Sequence, residues 1–516
     1  MDPTPTSPAP PPPPTTPPPP TPPSNYYASS SDSGVTVPPP PAPPPPPSSP
    51  PPASTPVTPS FSSKAIRTRH FPIIPLIIIL ILLILGAVAF FVLKSGKNLF
   101  NLTSTNITYW GLWEPESVMQ PLIDEYQKSH PGVKITYIQQ SPKEYRDRLQ
   151  NSLDQGKGPD IFRLHSSWIP LLKNHLAPIP ASVYSSQDFE STFYPVIGSD
   201  VRVGNNYSAI PVGFDGLAMY VNDDLLQASG QSVPQNWDDL RLVAQAMTRC
   251  DSPDGKCTGA SKILVSGASL GTADNVDHWQ DVLLVLMLQN NVNLGYPTGK
   301  SAQDALNYYT IFVKSDHMWD STLPSSTFQF AAGKVGIYFA PSWRVFEIQQ
   351  KNPQLKFSIH PIPQLPIEPS RGEQPITWAN YWVEGISKKS PRAAQAWEFL
   401  KYLSSPDALQ KFYQQAVASG RAFGEPYPRI DMASSIKDAP LVGPYINQAS
   451  QARSWYLASS TQDSNESLNS KLSKYFADAV NTSLKGIAGE SITNTLAQGV
   501  NQVLSQYGLA TPVAPR

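Results

Sequence analysis

The chain's two cysteines, Cys250 and Cys257, flank Ser252-Pro253-Asp254-Gly255. That tetrapeptide is a turn sequence, so it brings the two thiols together and a disulfide is expected. Such a bond persists only in an oxidising compartment, which agrees with residues 95–516 lying outside the cytoplasm. Asp251 and Asp254 share the loop, but the spacing is not that of an EF-hand and no bidentate Glu follows at the required distance. Neither a His-Glu-x-x-His sequence nor a Walker loop is present. The carboxylates concentrate in predicted first turns of helices, such as Asp223, Asp224, Asp238 and Asp239, where they complement the helix dipole instead of flanking a cleft as a hydrolytic pair. The chain is therefore not read as an enzyme, and neither a metal nor a cofactor is expected. A net charge of −1 with 15% charged residues gives no cationic cluster for phosphates beyond the one preceding the apolar run, which argues against nucleic acid.

These residues need elements to hold them. Ile107-Thr108-Tyr109-Trp110 reads as a strand, and Pro115 to Lys128 carries Val118, Leu122 and Tyr126 as a helical stripe ending at His130-Pro131-Gly132. Val133, Ile135 and Tyr137 then alternate as a second strand, giving a βαβ unit whose parallel pair requires the crossover. Asn236 is a predicted N-cap with Asp239 at N3, opening a helix that buries Leu240, Val243, Ala244 and Met247. Ser390-Pro391 and Ser405-Pro406 each place a cap before a proline at the first helical position. Ala393, Trp397 and Leu400 line the first of these helices, and Leu409, Phe412 and Ala416 the second. Strands alternating with capped helices over roughly 415 residues indicate an α/β architecture of two lobes. Ligands of open α/β sheets bind beyond the carboxyl ends of strands. Trp110 and Trp113 stand after the first strand, and Arg163, His165 and Ser166 follow Pro159-Asp160-Ile161-Phe162. His165 is read as a hydrogen-bonding side chain in preference to a metal ligand, Asp160 as a brace for its strand, and Trp168, Trp237 and Trp397 as core.

Ahead of this region the composition changes. Of 59 prolines, 28 fall in the first 60 residues, and residues 1–63 contain no Lys or Arg. Proline removes an amide donor and fixes φ, so this Pro-rich tail is expected to stay disordered and extended, as a spacer or as a ligand for a proline-recognition domain. Phe71 to Leu93 is a run of 23 residues free of charged and polar side chains, long enough to cross a bilayer. Residues 64–97 are thus read as a transmembrane helix in the lipid bilayer with basic flanks. Lys64, Arg67 and Arg69 before the run, against Lys94 and Lys97 after it, favour a cytoplasmic N-terminus. Ala87-Val88-Ala89 resembles a signal-peptide cleavage site, but the run is long for a signal peptide and continues apolar to Leu93. With no cysteine before position 250, a lipid-modified N-terminal cysteine is not available as the tether.

Several segments carry a resemblance. ITYWGLWEPESVMQPLIDEYQKSHPGVKI (residues 107–135) resembles the opening of the maltose-binding-protein-like family of bacterial extracellular solute-binding proteins, the receptors of ABC importers. GKGPDIFRLHSSWIPLL (156–172), YSAIPVGFDGLAMYVNDDLLQASG (207–230), FAAGKVGIYFAPSWRV (330–345), SKKSPRAAQAWEFLKYLSSPDALQKFY (387–413) and LKGIAGESITNTLAQGVNQVL (484–504) are similar to later segments of that family, in order. The resemblance implies a periplasmic-binding-protein-like clamshell over residues 98–516, two interleaved α/β lobes joined by a hinge. It implies a small-molecule solute held between the lobes, and ABC permease subunits as partners. Sugars are the common cargo, and a pyranose needs flat aromatic faces with polar side chains around them. The eleven Trp residues suit that chemistry. Asp215 lies in the segment resembling the hinge, and Trp279, Trp343, Trp378, Asn380 and Tyr381 lie in segments that face the cleft in the family. Together with Trp110, Trp113, Arg163, His165 and Ser166 they form the expected site. A membrane-anchored sensor or adhesin with the same clamshell and no transport role is the alternative. The tether sets this chain apart from relatives that are free or lipid-held.

Overall fold

In this computed structural model, residues 104–510 are described, apart from 369, 371, 372 and 488. The expected Pro-rich tail, the apolar run 71–93 and its basic flanks lie outside the described residues. Among the described residues, no helix is long and apolar enough to cross a membrane.

The first strand, β1 (Thr105–Gly111), buries Ile107, Tyr109 and Gly111 on alternate positions, as the period-two pattern requires. Helix Glu116–Ser129 follows and buries Val118, Met119, Leu122, Ile123 and Tyr126 along one stripe. It returns the chain to β2 (Val133–Gln139), which pairs parallel with β1 so that Ile107 faces Ile135 and Tyr109 faces Tyr137. The expected βαβ unit is therefore present. β3 (Ile161–His165) joins the other side of β1 and is buried along its whole length, as a central strand covered on both faces should be. Asp160 braces this junction: its Oδ2 accepts the Thr108 N–H at 2.8 Å and its Oδ1 accepts the Ser390 hydroxyl at 2.5 Å.

A short hairpin of β4 (Arg202–Val203) and β5 (Asn206–Tyr207) precedes β6 (Ala209–Pro211). The chain then leaves the first sheet and enters the second at β7 (Ala218–Asn222). Gly216 lies at this crossing, where a Cβ would stand 2.1 Å from the Trp378 carbonyl oxygen, so only glycine permits the close backbone approach. The second lobe adds β8 (Arg249–Cys250), β9 (Ile263–Ala268), β10 (Val335–Ala340) and β11 (Phe357–His360). Its order is β11-β7-β10-β9-β8. A second crossing runs through β12 (Thr377–Trp378) to β13 (Trp382–Ile386), which closes the first sheet as β2-β1-β3-β13-β6. Helices Ala393–Leu403 and Pro406–Ala418 then pack on helix Glu116–Ser129 of the first lobe. Beyond β14 (Ala452–Arg453), helices Leu468–Leu484 and Glu490–Gln506 pack against helix Gly299–Lys314, whose neighbours in sequence are β9 and β10 of the second lobe. Three passages of chain thus join two α/β lobes, the interleaved arrangement expected.

The capping expectations divide. Asn236 Oδ1 accepts the Asp239 N–H at 2.9 Å, and Ser405 caps its helix through the Ala408 N–H. Ser390 does not open a helix at Pro391: the helix begins at Ala393, and the Ser390 hydroxyl takes the Arg392 N–H and donates to Asp160. Its bond to the neighbouring strand junction replaces a cap. Trp168, Trp237 and Trp397 are core residues. Cys250 and Cys257 form the expected disulfide, with Cα atoms 5.2 Å apart, on the outer edge of the second sheet. Asp251 and Asp254 each use Oδ1 locally, to accept the Lys262 and Lys256 N–H groups respectively.

Candidate functional site

Where β3 ends, the two lobes meet along a buried polar seam. His165 Nδ1 accepts the Ser167 N–H at 3.2 Å, which leaves the ring proton on Nε2 to donate to Asn380 Oδ1 at 2.7 Å. Asn380 Nδ2 donates in turn to the Ser459 carbonyl at 3.0 Å and to Asp281 Oδ2 at 3.3 Å. From the opposite side, Arg344 Nε donates to His278 Nε2 at 2.9 Å, and His278 Nδ1 donates to Ser459 Oγ at 2.7 Å. The Ser459 hydroxyl and N–H both end on the Asp281 carboxylate, at 2.5 and 2.9 Å. Two arms of donors, one starting in each lobe, therefore converge on one acceptor. Burial pushes His165 down to about 4, with its bond to Asn380 pulling the other way, and pushes His278 well below the usual imidazole range, helped by the Arg344 charge. Asp281 is pushed up to about 6 by burial, against the hydrogen bonds it accepts. A second acidic group holds the hinge: Asp215 accepts the Ser342 N–H and hydroxyl at 3.0 and 2.8 Å and the Gly216 N–H at 2.7 Å. Loss of solvent pushes its carboxyl up to about 7.

This geometry gathers most of the expected residues at the seam but changes several roles. Arg163 is 3% exposed and lies in an ion triad, donating to Glu114 at 2.6 Å and to Glu384 at 2.7 Å. Burial works against its charge, the two carboxylates more than offset that, and its proton affinity rises above the ordinary guanidinium value. Its donors point into lobe one, so it is a core ion and not the solute contact expected. Trp378 is 1% exposed and Trp279 is also buried, so both faces are covered by the protein itself and neither is a platform. Tyr381 is buried too, and its hydroxyl donates to Asp200 at 2.7 Å. Trp110, Trp113 and Trp343 are half-buried. Trp113 packs edge-on against Trp382 at 5.3 Å, Trp382 contacts His165 at 5.1 Å, and Trp343 stands 5.8 Å from His278 with the Arg344 guanidinium 4.4 Å over its ring.

Beside the seam lies a cavity of about 300 Å³. It is lined by the turn after β3, with Ser166, Ser167 and Lys173, by the hairpin that carries Arg202, and by Ser454, Trp455 and Tyr456. The two rings are half-buried, 5.7 Å apart and tilted by 39°. Asp200 lies on the cavity wall, its oxygens taken by Tyr381 and Ser454; loss of solvent pushes its carboxyl up to about 6, those two hydroxyls opposing. Of the expected residues only Ser166 lines this space. Trp455 and Tyr456 went unseen because they fall in an irregular segment with no hydrophobic period; an aromatic pair directly after a polar Ala-Arg-Ser stretch is the signal that could have found them.

Gly267-Ala268-Ser269-Leu270-Gly271 has the spacing of a serine-nucleophile turn, which needs an exposed hydroxyl on a strand-to-helix bend with an imidazole beside it. Ser269 is instead 1% exposed, with its hydroxyl directed to the Ile337 carbonyl at 3.4 Å, and the next helix starts only at Trp279. It is a buried serine just past the end of β9.

The two interleaved lobes with a cavity at their boundary define a two-lobed α/β binding fold. Residues 121–422 match the family described as bacterial extracellular solute-binding protein, and the chain belongs to that family. It is 22% identical over 307 residues to a binding protein of Brucella abortus, covering 57% of this chain and 71% of that one. Among solved structures, the sugar-binding protein MalE from Xanthomonas citri superposes with a TM-score of 0.61 at 16% identity, over 78% of this chain and 98% of that one. The cyclic alpha-maltosyl-1,6-maltose binding protein from Arthrobacter globiformis does so with 0.61 at 19%, over 78% and 99%. These structural likenesses establish the fold.

Proposed function

We propose that this protein is a receptor that captures a sugar or oligosaccharide outside the cell, between its two lobes, and presents it to an ABC permease by lobe closure. The observation that carries the reading is the boundary cavity, whose lining combines Trp455 and Tyr456 with hydroxyl and charged side chains. An aromatic face matches the C–H face of a pyranose, and the polar side chains replace the water that closure removes. Trp113 and Trp343, half-buried on the seam beside the cavity, extend the site along the lobe boundary. Support also comes from structural neighbours, one named as a sugar-binding protein and one as a cyclic alpha-maltosyl-1,6-maltose binding protein. Closure is favoured when the solute contacts both lobes, since a ligand shifts the open–closed balance only by its differential affinity for the two. The apolar run 71–93 serves as the membrane anchor in this reading, with the Pro-rich tail on the cytoplasmic side.

Calorimetric titration of the full-length chain with a panel of mono- and oligosaccharides, amino acids, short peptides and polyamines tests it. Saccharide binding that is weakened by Trp455→Ala is the expected result. Binding of an amino acid, peptide or polyamine with no saccharide response overturns it.

A further inference from the structure

The charge inventory of the cavity points to the class of saccharide, an inference that rests on the cavity being the solute site. Three ionisable side chains other than tyrosine line it: Lys173, Arg202 and Asp200. Asp200 is engaged by the protein on both oxygens: Tyr381 Oη donates to one at 2.7 Å and Ser454 Oγ donates to the other. Arg202 uses Nη2 on Glu190 at 2.9 Å and on the Tyr207 hydroxyl, and its guanidinium lies 4.7 Å over the Tyr207 ring. Nε and Nη1 of Arg202 have no hydrogen-bond partner among the described residues. Lys173 is exposed at the cavity wall and makes neither an ion pair nor a hydrogen bond among the described residues. The Ser166 hydroxyl, on a residue only 5% exposed, is likewise without a partner among them. Glu190, which partly balances Arg202, is not on the cavity wall.

A neutral pyranose presents hydroxyls that must donate as well as accept, so a site for it needs open acceptors as well as donors. This cavity's carboxyl already accepts a protein hydroxyl on each oxygen, whereas ammonium, guanidinium and hydroxyl donors remain open. Charge-assisted bonds to an anionic group are the strong interactions such a wall can make. We infer that the cavity selects an anionic saccharide, a sugar ring carrying a carboxylate or a phosphate. Lys173 supplies the counter-charge, Arg202 and Ser166 supply further donors, and Trp455 and Tyr456 pack on the ring.

The test is calorimetry on the full-length chain with digalacturonate and a hexose phosphate against maltotriose and glucose, at low and high salt. At least one anionic sugar is expected to bind about tenfold or more tighter than the neutral pair. That advantage should shrink in high salt and collapse in Lys173→Met, while Lys173→Arg retains it. The tighter of the two anionic arms identifies carboxylate or phosphate as the group read. Neutral sugars binding as tightly as the anionic ones, or an anionic preference that survives Lys173→Met, overturns the inference and leaves the saccharide receptor standing. If no sugar of either kind binds, the receptor reading falls and this inference falls with it.

Discussion

Replacing Arg163 by Met separates a structural ion from a solute contact. In the native chain the guanidinium lies between Glu114 and Glu384 with all three side chains almost wholly buried, at 4%, 2% and 0% side-chain exposure. Methionine fills much of the volume but leaves two buried carboxylates without their counter-charge. Breaking a buried pair by removing one partner costs about 3–5 kcal/mol, mostly from the uncompensated charge left behind. The loss should also depend on pH. Burial already pushes the Glu384 carboxyl up, and Arg163 is the largest influence holding it down. Without that influence its folded-state value rises further above its unfolded value, so the folded variant holds a proton that the unfolded chain releases. Stability relative to the native chain therefore falls as pH rises above about 4.3, the ordinary glutamate value. Urea unfolding followed by tryptophan fluorescence at mildly acidic and neutral pH measures this. Arg163→Met combined with Glu114→Gln and Glu384→Gln should recover much of the loss, because no charge is then stranded. A loss below about 1 kcal/mol that ignores pH would refute the reasoning. So would an unchanged unfolding midpoint together with lost saccharide binding, since that pattern belongs to a solute contact.

Trp455→Ala and Tyr456→Ala should each weaken saccharide affinity while leaving the unfolding midpoint nearly unchanged, by about 2- to 10-fold if stacking is worth about 0.5–1.5 kcal/mol; calorimetry and urea unfolding report the two effects separately. Asp215→Asn should gain stability relative to the native chain as pH rises from about 4 to 7, because burial raises the native carboxyl to about 7 and its ionisation then costs more in the folded chain than in the unfolded one. Unfolding midpoints across that interval check it, and a flat difference contradicts it. Cys250→Ser with Cys257→Ser opens a loop with a sequence separation of 7, and chain entropy puts the loss at about 2.5 kcal/mol. Thiol labelling of intact cells should find both native cysteines unreactive until a reductant is added.

The lobes were readable because their signals are local. Ile107 and Tyr109 alternate within one strand, Val118, Leu122 and Tyr126 repeat within one helix, and Asn236 sits next to the helix it caps. Ser390 misled because its hydroxyl could cap a helix or reach Asp160, and only tertiary packing decides between the two. The site was harder for the same reason. Tryptophan serves equally well as core or as platform, so Trp279 and Trp378 could not be separated from Trp113 and Trp343 by residue type. Arg163 at a strand end looks like a ligand until Glu114 and Glu384, 49 and 221 residues away, close around it. Likewise Asp200 and Trp455 come to one cavity from segments more than 250 residues apart, which no spacing rule connects.

Hydrogen exchange read by mass spectrometry on the full-length chain, with and without the saccharide that binds most tightly in the calorimetric panel, tests the central claim most directly. Slowed exchange is expected in residues 166–173, 199–204 and 454–456, the walls of the boundary cavity, and in the seam around 278–281 and 380 as the lobes close. Tight saccharide binding with unchanged exchange in those cavity segments, and protection elsewhere in the fold, would contradict the assignment of that cavity as the solute site.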